Sequence, residues 1–239
     1  MKFSIVIATY APGAQLSQAI SSILSQTFQD FEIVIQDNLS TDPETLSVFE
    51  KFAEKISLKS TSDSGIYDAF NQALKRCSGD WILFLGADDT LADDTVLEKI
   101  CAFTDPQFDL ILGSIQNLHV QSKWVPHRFV SKMSFHMLWK NTIHQQGCFY
   151  KRTWLQKIEF SEQCKILGDY EVHLKALLGH AKVLHTTLII SHCDARGISK
   201  KFTKELYDEE LCMKKRILPL GLYWMNIPWI SFKKWLKTH

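Results

Sequence analysis

Residues 79–91 read GDWILFLGADDTL, an unbroken apolar run at Trp81–Leu85 that stops in a turn carrying two adjacent carboxylates, Asp88 and Asp89. A short run that is apolar at every position and bounded by glycines is the pattern of a strand covered on both faces, as in a parallel sheet. Similar β-rich runs occur at Phe3–Ala8, Phe31–Ile35, Ile56–Leu58 and Phe108–Leu112. Between them, apolar residues take helical spacing: Leu16, Ala19, Ile20, Ile23 and Leu24; Leu46, Phe49 and Phe52; Ala69, Phe70, Ala73 and Leu74; Val96, Leu97 and Ile100. Strand and helix in alternation predict right-handed βαβ units, hence an α/β fold of Rossmann-like kind with a mainly parallel central sheet and helices on both faces. Helix starts are marked by Ser40, Thr41 or Asp42 before Pro43, and by Asp93 after the acidic turn.

From about residue 120 the alternation weakens. Helical spacing is found at Ser131–Trp139, Lys151–Lys157, Asp169–Leu178 and Lys201–Arg216, with short apolar runs at Ile143–Tyr150 and Thr187–His192. No linker-like stretch and no repeat divides the chain, which predicts a single domain followed by a C-terminal helical, basic and aromatic tail over 201–239.

The 239 residues are 46% hydrophobic, too apolar for a disordered chain. Residues 1–119 hold 7 Lys and Arg against 17 Asp and Glu, while 120–239 hold 20 against 9, so a net charge of +1 hides halves of −10 and +11. An acidic first half argues against nucleic acid as a partner. The six cysteines form no CxxC pair and no framework, which suggests reduced thiols. The N-terminal run reads as a first strand and not as a signal peptide, because it is β-branched and ends at Pro12-Gly13. The uncharged stretch Ile217–Phe232 is 16 residues long and interrupted by Pro219 and Pro228, short of a bilayer span. Lys214, Lys215 and Arg216 precede it, Lys233, Lys234 and Lys237 follow it, and Trp224, Trp229 and Trp235 fall in the tail. That pattern suits residues 214–237 lying on an anionic membrane surface, and equally an arm packed on the domain or on a partner subunit.

In open parallel sheets ligands bind beyond the carboxyl ends of the strands. Here those positions hold Thr9-Tyr10, Gln36-Asp37-Asn38, Ser62-Asp63-Ser64-Gly65 and Gly86-Ala87-Asp88-Asp89. The first turn lacks GxGxxG and no GxxxxGK is present, so a metal-bound nucleotide explains the acids better than a redox cofactor. Two neighbouring carboxylates are reconciled by a hard divalent cation that also binds phosphate oxygens, or by a solvated cluster at the next helix start. His144 and His192 lie near strand ends, where they serve either ligand or structure. Lys200 and Lys201, after Arg196, suit a diphosphate or a solvated face, and Phe135, Trp139 and Trp154 suit sugars or core.

The series SIVIATY, EIVIQDNLSTD, SDSGIYDAFNQAL and GDWILFLGADDTL, followed by HQQGCFYKRTWL, GDYEVHLKALL and RGIS, resembles the family-2 glycosyltransferases of the GT-A fold, in particular those of bacterial O-antigen, capsule and lipooligosaccharide synthesis. The resemblance covers about residues 2–200 and is specific as a set. It implies a nucleotide-sugar-binding half at 1–115 and an acceptor-binding and catalytic-base half at 116–200. It further implies that Thr9 and Tyr10 lie against base and ribose, that Asp37 meets the uracil edge, and that Asp63 to Asn71 closes the donor pocket. Asp88 and Asp89 match the end of the acidic motif that reaches ribose and metal, Mn2+ or Mg2+. Asp169 matches the catalytic base of inverting members, although a helix N-cap is an equal reading of the residue itself. The expected activity is transfer of a hexose from a UDP-sugar to a saccharide or lipid-linked saccharide, at the cytoplasmic face of a bacterial membrane by peripheral attachment. Alternatives are transfer to a polyprenyl phosphate and a non-catalytic nucleotide-sugar-binding subunit. The sequence departs from the family pattern at Gly86, where a first Asp is common, at Asn38, where a second Asp often follows Asp37, and at Gly168, where a Glu often precedes the base.

Overall fold

The computed structural model describes residues 2–195 and 202–238. The first half forms β1 (Phe3–Thr9), α1 (Gln15–Leu24), β2 (Phe31–Asp37), α2 (Pro43–Lys51), β3 (Ser57–Ser60), α3 (Ile66–Leu74) and β4 (Trp81–Phe84). These four strands lie in the order β3-β2-β1-β4, all parallel, with Val6 beside both Val34 and Phe84. There follow β5 (Thr90–Leu91), α4 (Val96–Cys101), β6 (Leu110–Leu118), β7 (Arg128–Val130), β8 (Cys148–Lys151), α5 (Arg152–Ile158), α6 (Gly168–Leu178), β9 (Val183–Asp194), α7 (Lys204–Ile217) and α8 (Leu220–Thr238). The sheet continues β8-β6-β9-β5. β8 is antiparallel to both β4 and β6, and β9 is parallel to β6. The carboxyl ends of β1 to β4, β6 and β9 therefore share one edge with the start of β8. The boundary expected between residues 115 and 116 falls inside β6, so both halves build one sheet.

Burial on both faces explains the strand composition. Ile5, Ile7, Ile33, Ile35 and Leu83 join α1, α2 and α4 in one core, while Val6, Val34, Ile82 and Phe84 join α3 and α5 to α8 in the other. In α1, Leu16, Ala19, Ile20 and Ile23 form the buried stripe. Of the three candidate caps, Asp42 caps α2, accepting from Thr45 N at 2.8 Å with Pro43 as first helical residue. Ser131–Trp139 departs from its helical reading, since only Phe135–Leu138 turns, as a 3-10 helix. Ser131 N donates to Gly113 O and Lys132 N to Thr142 O, so sheet-like pairing claims the backbone that a helix would need.

The tail is helical, and one of its faces belongs to the core through Tyr207, Met213 and Ile230. Lys214, expected at a lipid surface, is instead fully buried. Its ammonium donates to Leu138 O at 2.9 Å, Glu210 Oε1 at 2.8 Å and Asn226 Oδ1 at 2.9 Å, and burial lowers it to about 8. Lys233 also pairs with Glu210, Arg216 with Glu171 and Lys234 with Asp208. Much of the basic bracket is thus compensated within the protein. Lys215 stays exposed, and beside it an apolar stripe does too: Leu220, Trp224, Met225, Trp229, Phe232 and Trp235 lie along α8 at helical spacing. Among the described residues no helix is long and apolar enough to cross a membrane.

Candidate active site

β1 is the switch point of the sheet, with chain order reversing between β2 and β4, and the carboxyl edge at such a point is where open α/β sheets bind ligands. Asp37, the last residue of β2, is fully buried. Its carboxylate accepts from Ser40 N at 2.9 Å, from Ser60 Oγ at 2.6 Å and from Ser40 Oγ. Ser40 Oγ in turn accepts from Ala11 N at 2.8 Å, which ties the loop after β1 to that after β2. Ala11 and Leu39 hold φ of 46° and 55°, left-handed values that cost a side-chain-bearing residue about 1–2 kcal/mol. Strain of this kind persists where the surrounding bonds fix a loop, and it often marks a ligand site. Asn38 Oδ1 accepts from Asp63 N at 3.2 Å, bringing the loop after β3 alongside. Burial pushes the Asp63 carboxyl upward, the Gly65 N–H opposes this, and the charges of Asp68 and Asp37 add to it. Gly65, at φ 137°, then starts α3 in a conformation that a side chain would oppose.

Thr9 Oγ1 is buried at the end of β1 with no hydrogen-bond partner among the described residues, and the next residue, Tyr10, is 72% exposed. Gln145 Nε2, in a 3-10 turn before β8, is likewise buried and unpartnered. Orphaned polar atoms beside an exposed aromatic ring at one sheet edge are what a polar ligand would satisfy.

The neighbouring carboxylates of the acidic turn diverge. Asp89 is buried, with Oδ2 accepting from Gly86 N at 3.2 Å and Oδ1 from Asp194 N at 3.0 Å. Asp88 is exposed, and its carboxylate has no hydrogen-bond partner among the described residues. No group of three His, Cys, Asp or Glu among the described residues would hold an ion. The turn fits a cation that takes one carboxylate from Asp88 and its remaining ligands from a bound diphosphate, the usual arrangement for Mg2+. A Cβ at Gly86 would stand 2.5 Å from Asp89 Oδ2, so the inward carboxylate occupies the space of a side chain at 86.

Asp169 lies in the first turn of α6, half-buried; the cap position is Leu167, so Asp169 is not the N-cap that its sequence position also allowed. The single Tyr67 hydroxyl proton is shared between Ile166 O at 2.8 Å and Asp169 Oδ1 at 3.3 Å, and Asn141 Nδ2 donates to Asp169 Oδ2 at 3.4 Å. Burial raises the carboxyl to about 6, opposed by the Tyr170 N–H, Tyr67 and Asn141. Two long hydrogen bonds leave lone pairs for a further proton donor, and a pKa near neutrality suits a general base. Glu209 of α7 accepts from the N–H groups of Lys165, Ile166 and Leu167, which fixes the start of α6. A Cβ at Gly168 would meet the Tyr67 ring at 2.8 Å.

Tyr67, in the first turn of α3, ties the Asp169 carboxylate to the edge where Asp37, Asp63 and Asp88 also end. Asn71 is engaged otherwise: both ends of its amide bond the Phe160 backbone, at 2.9 and 3.0 Å, in a buried setting. His192 pairs with Thr90 across β9 and β5, and His144 packs edge-on against Phe129. Arg196, Lys200 and Lys201 lie outside the described residues. Asn141, Ser60, Gln145 and Asp194 were not singled out by the sequence, and Ser40 was named only as a helix start and Tyr67 only within Asp63 to Asn71. Asp194 enters through its backbone N–H, which its residue type does not signal, and the others are ordinary apolar-stripe or loop residues until the fold assembles them.

The family described as Glycosyl transferase family 2 matches residues 4–161. A PGL/p-HBAD biosynthesis glycosyltransferase of Mycobacterium tuberculosis is 30% identical over 226 residues, 90% of this chain and 86% of its own. The poly(ribitol-phosphate) beta-N-acetylglucosaminyltransferase TarS of Staphylococcus aureus is 27% identical over 195 residues, and the match spans 77% of this chain but about a third of TarS, 34%. Among solved structures, S. aureus TarS 1-349 in complex with UDP-GlcNAc aligns with a TM-score of 0.73 at 24% identity, over 93% of this chain and 69% of that one. The mannosyltransferase PcManGT from Pyrobaculum calidifontis, in complex with GDP-Man and Mn2+, aligns at 0.66 and 17% identity, over 99% of this chain and 73% of that one. At these identities the two structures speak to the fold.

Proposed function

The chain belongs to glycosyl transferase family 2, and on that premise we propose an inverting transferase that moves a hexose from a nucleotide-diphosphate sugar, a UDP-sugar first among them, to a lipid-linked saccharide in bacterial surface polysaccharide synthesis. O-antigen, capsule or lipooligosaccharide chains are the expected products. The observation that carries the mechanism is the setting of Asp169, a half-buried carboxylate raised to about 6 and held by two long hydrogen bonds. An acceptor hydroxyl is a weak nucleophile, and Asp169 takes its proton as the oxygen attacks the anomeric carbon from the face opposite the diphosphate. The anomeric configuration inverts and no covalent enzyme intermediate forms. Tyr67 and Asn141 orient the base.

On the donor side, Tyr10 offers a stacking face for the nucleobase, and Thr9 Oγ1 and Gln145 Nε2 are free to bond donor oxygens. Asp37 acts with Ser40 to shape the base pocket, Asp63 flanks it, and Asn71 positions the loop at Phe160. Asp88, with Asp89 behind it, would hold Mn2+ or Mg2+, whose charge would offset that of the leaving diphosphate. The UDP-sugar complex of TarS and the Mn2+ complex of PcManGT support this reading by likeness of fold. The exposed aromatic stripe of α8 supports peripheral attachment to the inner face of the cytoplasmic membrane.

The test is a donor screen with purified protein and Mn2+ across UDP-, GDP- and CMP-sugars, scored by release of the nucleotide and by calorimetric binding of UDP. Turnover of a UDP-sugar, with UDP binding tighter in Mn2+ than in chelator, is expected. Selective turnover of a GDP- or CMP-sugar would replace the donor assignment, and UDP affinity indifferent to Mn2+ would remove the metal.

A further inference from the structure

Asn141, which donates to Asp169, comes from an irregular stretch that has no ladder of its own to hold it. The 3-10 helix Phe135–Leu138 ends just before it, and a helix end leaves carbonyls without partners. Those of Met137, Leu138 and Trp139 are instead taken up by side chains of the three helices packed against them. Tyr170 Oη of α6 donates to Met137 O. Lys214 Nζ of α7 donates to Leu138 O at 2.9 Å and reaches Trp139 O at 3.4 Å. Trp229 Nε1 and Lys233 Nζ of α8 both donate to Trp139 O, each at 3.1 Å.

The donors are themselves fixed. Lys214 is fully buried, with its other bonds to Glu210 Oε1 at 2.8 Å and Asn226 Oδ1 at 2.9 Å. Its ammonium lies 5.3 Å from the centre of the Tyr170 ring, so the cation that holds Leu138 O also packs on the residue next to Asp169. Lys233 bonds Glu210 as well, at 2.8 Å, and one carboxylate thereby joins α7 to α8. Beyond Asn141, Thr142 Oγ1 donates to Lys132 O at 2.6 Å. Ile143 N donates to Asn141 Oδ1 at 3.1 Å, which leaves the amide nitrogen for Asp169 Oδ2.

We propose that Lys214, Trp229 and Lys233 are positioning residues for the base: by fixing Leu138 and Trp139 they hold Asn141 against Asp169, so that α7 and α8 belong to the catalytic frame. This rests on the reading of Asp169 as the base and gives the tail a part in its chemistry. The titratable groups facing Asp169 are Tyr67 of α3, Tyr150 of β8 and Tyr170 of α6, phenols that burial pushes above their usual range. They stay protonated where the carboxyl titrates. The Asn141 bond favours the carboxylate, so its loss reads out at Asp169 as a higher titration midpoint.

The experiment is NMR titration of the Asp169 carboxyl in the full chain labelled at aspartate carboxyl carbons, the signal assigned by its absence from Asp169→Asn. Trp229→Phe combined with Lys233→Met removes two donors from Trp139 O and leaves Glu210 paired with Lys214. Its midpoint should rise, and transfer at about pH 6 relative to about pH 8 should fall about two- to fivefold, the effect of one neutral hydrogen bond. Lys214→Met, which strips Leu138 O of its donor, should act in the same direction. If Lys214→Met does not fold, the first variant carries the test, since Trp229 is 40% exposed. In an Asn141→Ala background neither change should move the midpoint further, because the effect passes through Asn141. Trp235→Phe with Lys234→Met makes the same exchanges farther along α8, where Lys234 pairs with Asp208, and should titrate as wild type. An unchanged midpoint in the folded Trp229 and Lys233 variant overturns the proposal, as does a shift that persists in Asn141→Ala or that the Trp235 and Lys234 variant reproduces. Failure of the glycosyltransferase reading appears separately, as absent turnover of any nucleotide sugar while the midpoint still shifts.

Discussion

Gly86 and Gly168 stand at two positions where the family resemblance leads one to expect an acid, and the structure fills the space beside each glycine differently. At Gly86 the occupant is local: the Asp89 carboxylate folds back to within 2.5 Å of where a Cβ would lie and bonds the Gly86 N–H. At Gly168 the occupant comes from a distant helix: the Tyr67 ring lies flush on the glycine, and its hydroxyl reaches the base. The first exchange keeps a negative charge in the turn and leaves Asp88 outside to meet a cation. The second puts a neutral donor beside Asp169, so burial raises its carboxyl while Tyr67 partly restrains it. The acidic turn holds a carboxylate in the space beside its glycine, and the start of α6 holds a phenol in the space beside its own.

The largest effect falls on the base. Asp169→Asn should lower transfer by about 10²–10⁴-fold while UDP still binds, and wild-type rates would remove Asp169 from the mechanism. The same variant should be more stable at neutral pH. The folded pKa of about 6 lies above the ordinary 3.8, so wild-type stability is fullest below about pH 4 and falls as pH rises toward 6. Relative to Asn the deficit near pH 7 should be roughly 1–2 kcal/mol, read as a higher Tm for the variant.

Restoring the acids tests the comparison itself. Gly86→Asp and Gly168→Glu should each destabilise by about 1–3 kcal/mol, since the new Cβ meets an occupied space. A Gly168→Glu enzyme of normal Tm and raised activity would show that Tyr67 is not what holds the glycine there.

The two carboxylates of the turn should separate in their effects. Asp89→Ala removes the acceptor for Gly86 N and Asp194 N and should cost about 1–3 kcal/mol in chemical unfolding. Asp88→Asn should leave stability within about 0.5 kcal/mol and instead abolish the Mn2+ enhancement of UDP binding. If Asp88→Asn keeps that enhancement and Asp89→Asn loses it, the outward and inward roles are exchanged.

The smallest effect is a pH shift. The acid limb of kcat/KM should lie near the Asp169 value of about 6, with activity rising as pH rises through it. Tyr67→Phe removes a hydrogen bond that favours the carboxylate, so the limb should move to higher pH with little change in the plateau. Movement to lower pH would contradict the geometry at the base.

The chain's local pattern determined the fold class, because strands covered on both faces must be apolar throughout and helices on one face must repeat every three to four residues. It also determined which polar and acidic residues sit at strand ends, since Thr9, Asp37 and Asp88 follow directly from where the apolar runs stop. It did not show which carboxylate faces outward, because Asp88 and Asp89 differ only in the path of one turn. The tail illustrates the limit most clearly: six basic residues around an uncharged run read as one charged surface, yet Lys214 is buried against Glu210 and Asn226. Only tertiary structure decided that, along with the meeting of Tyr67, Asn141 and Asp169 from three separate elements. Hydrophobic periodicity is a property of neighbours along the chain, whereas the pairing of charges and the environment of a catalytic carboxyl arise from groups that only folding brings together.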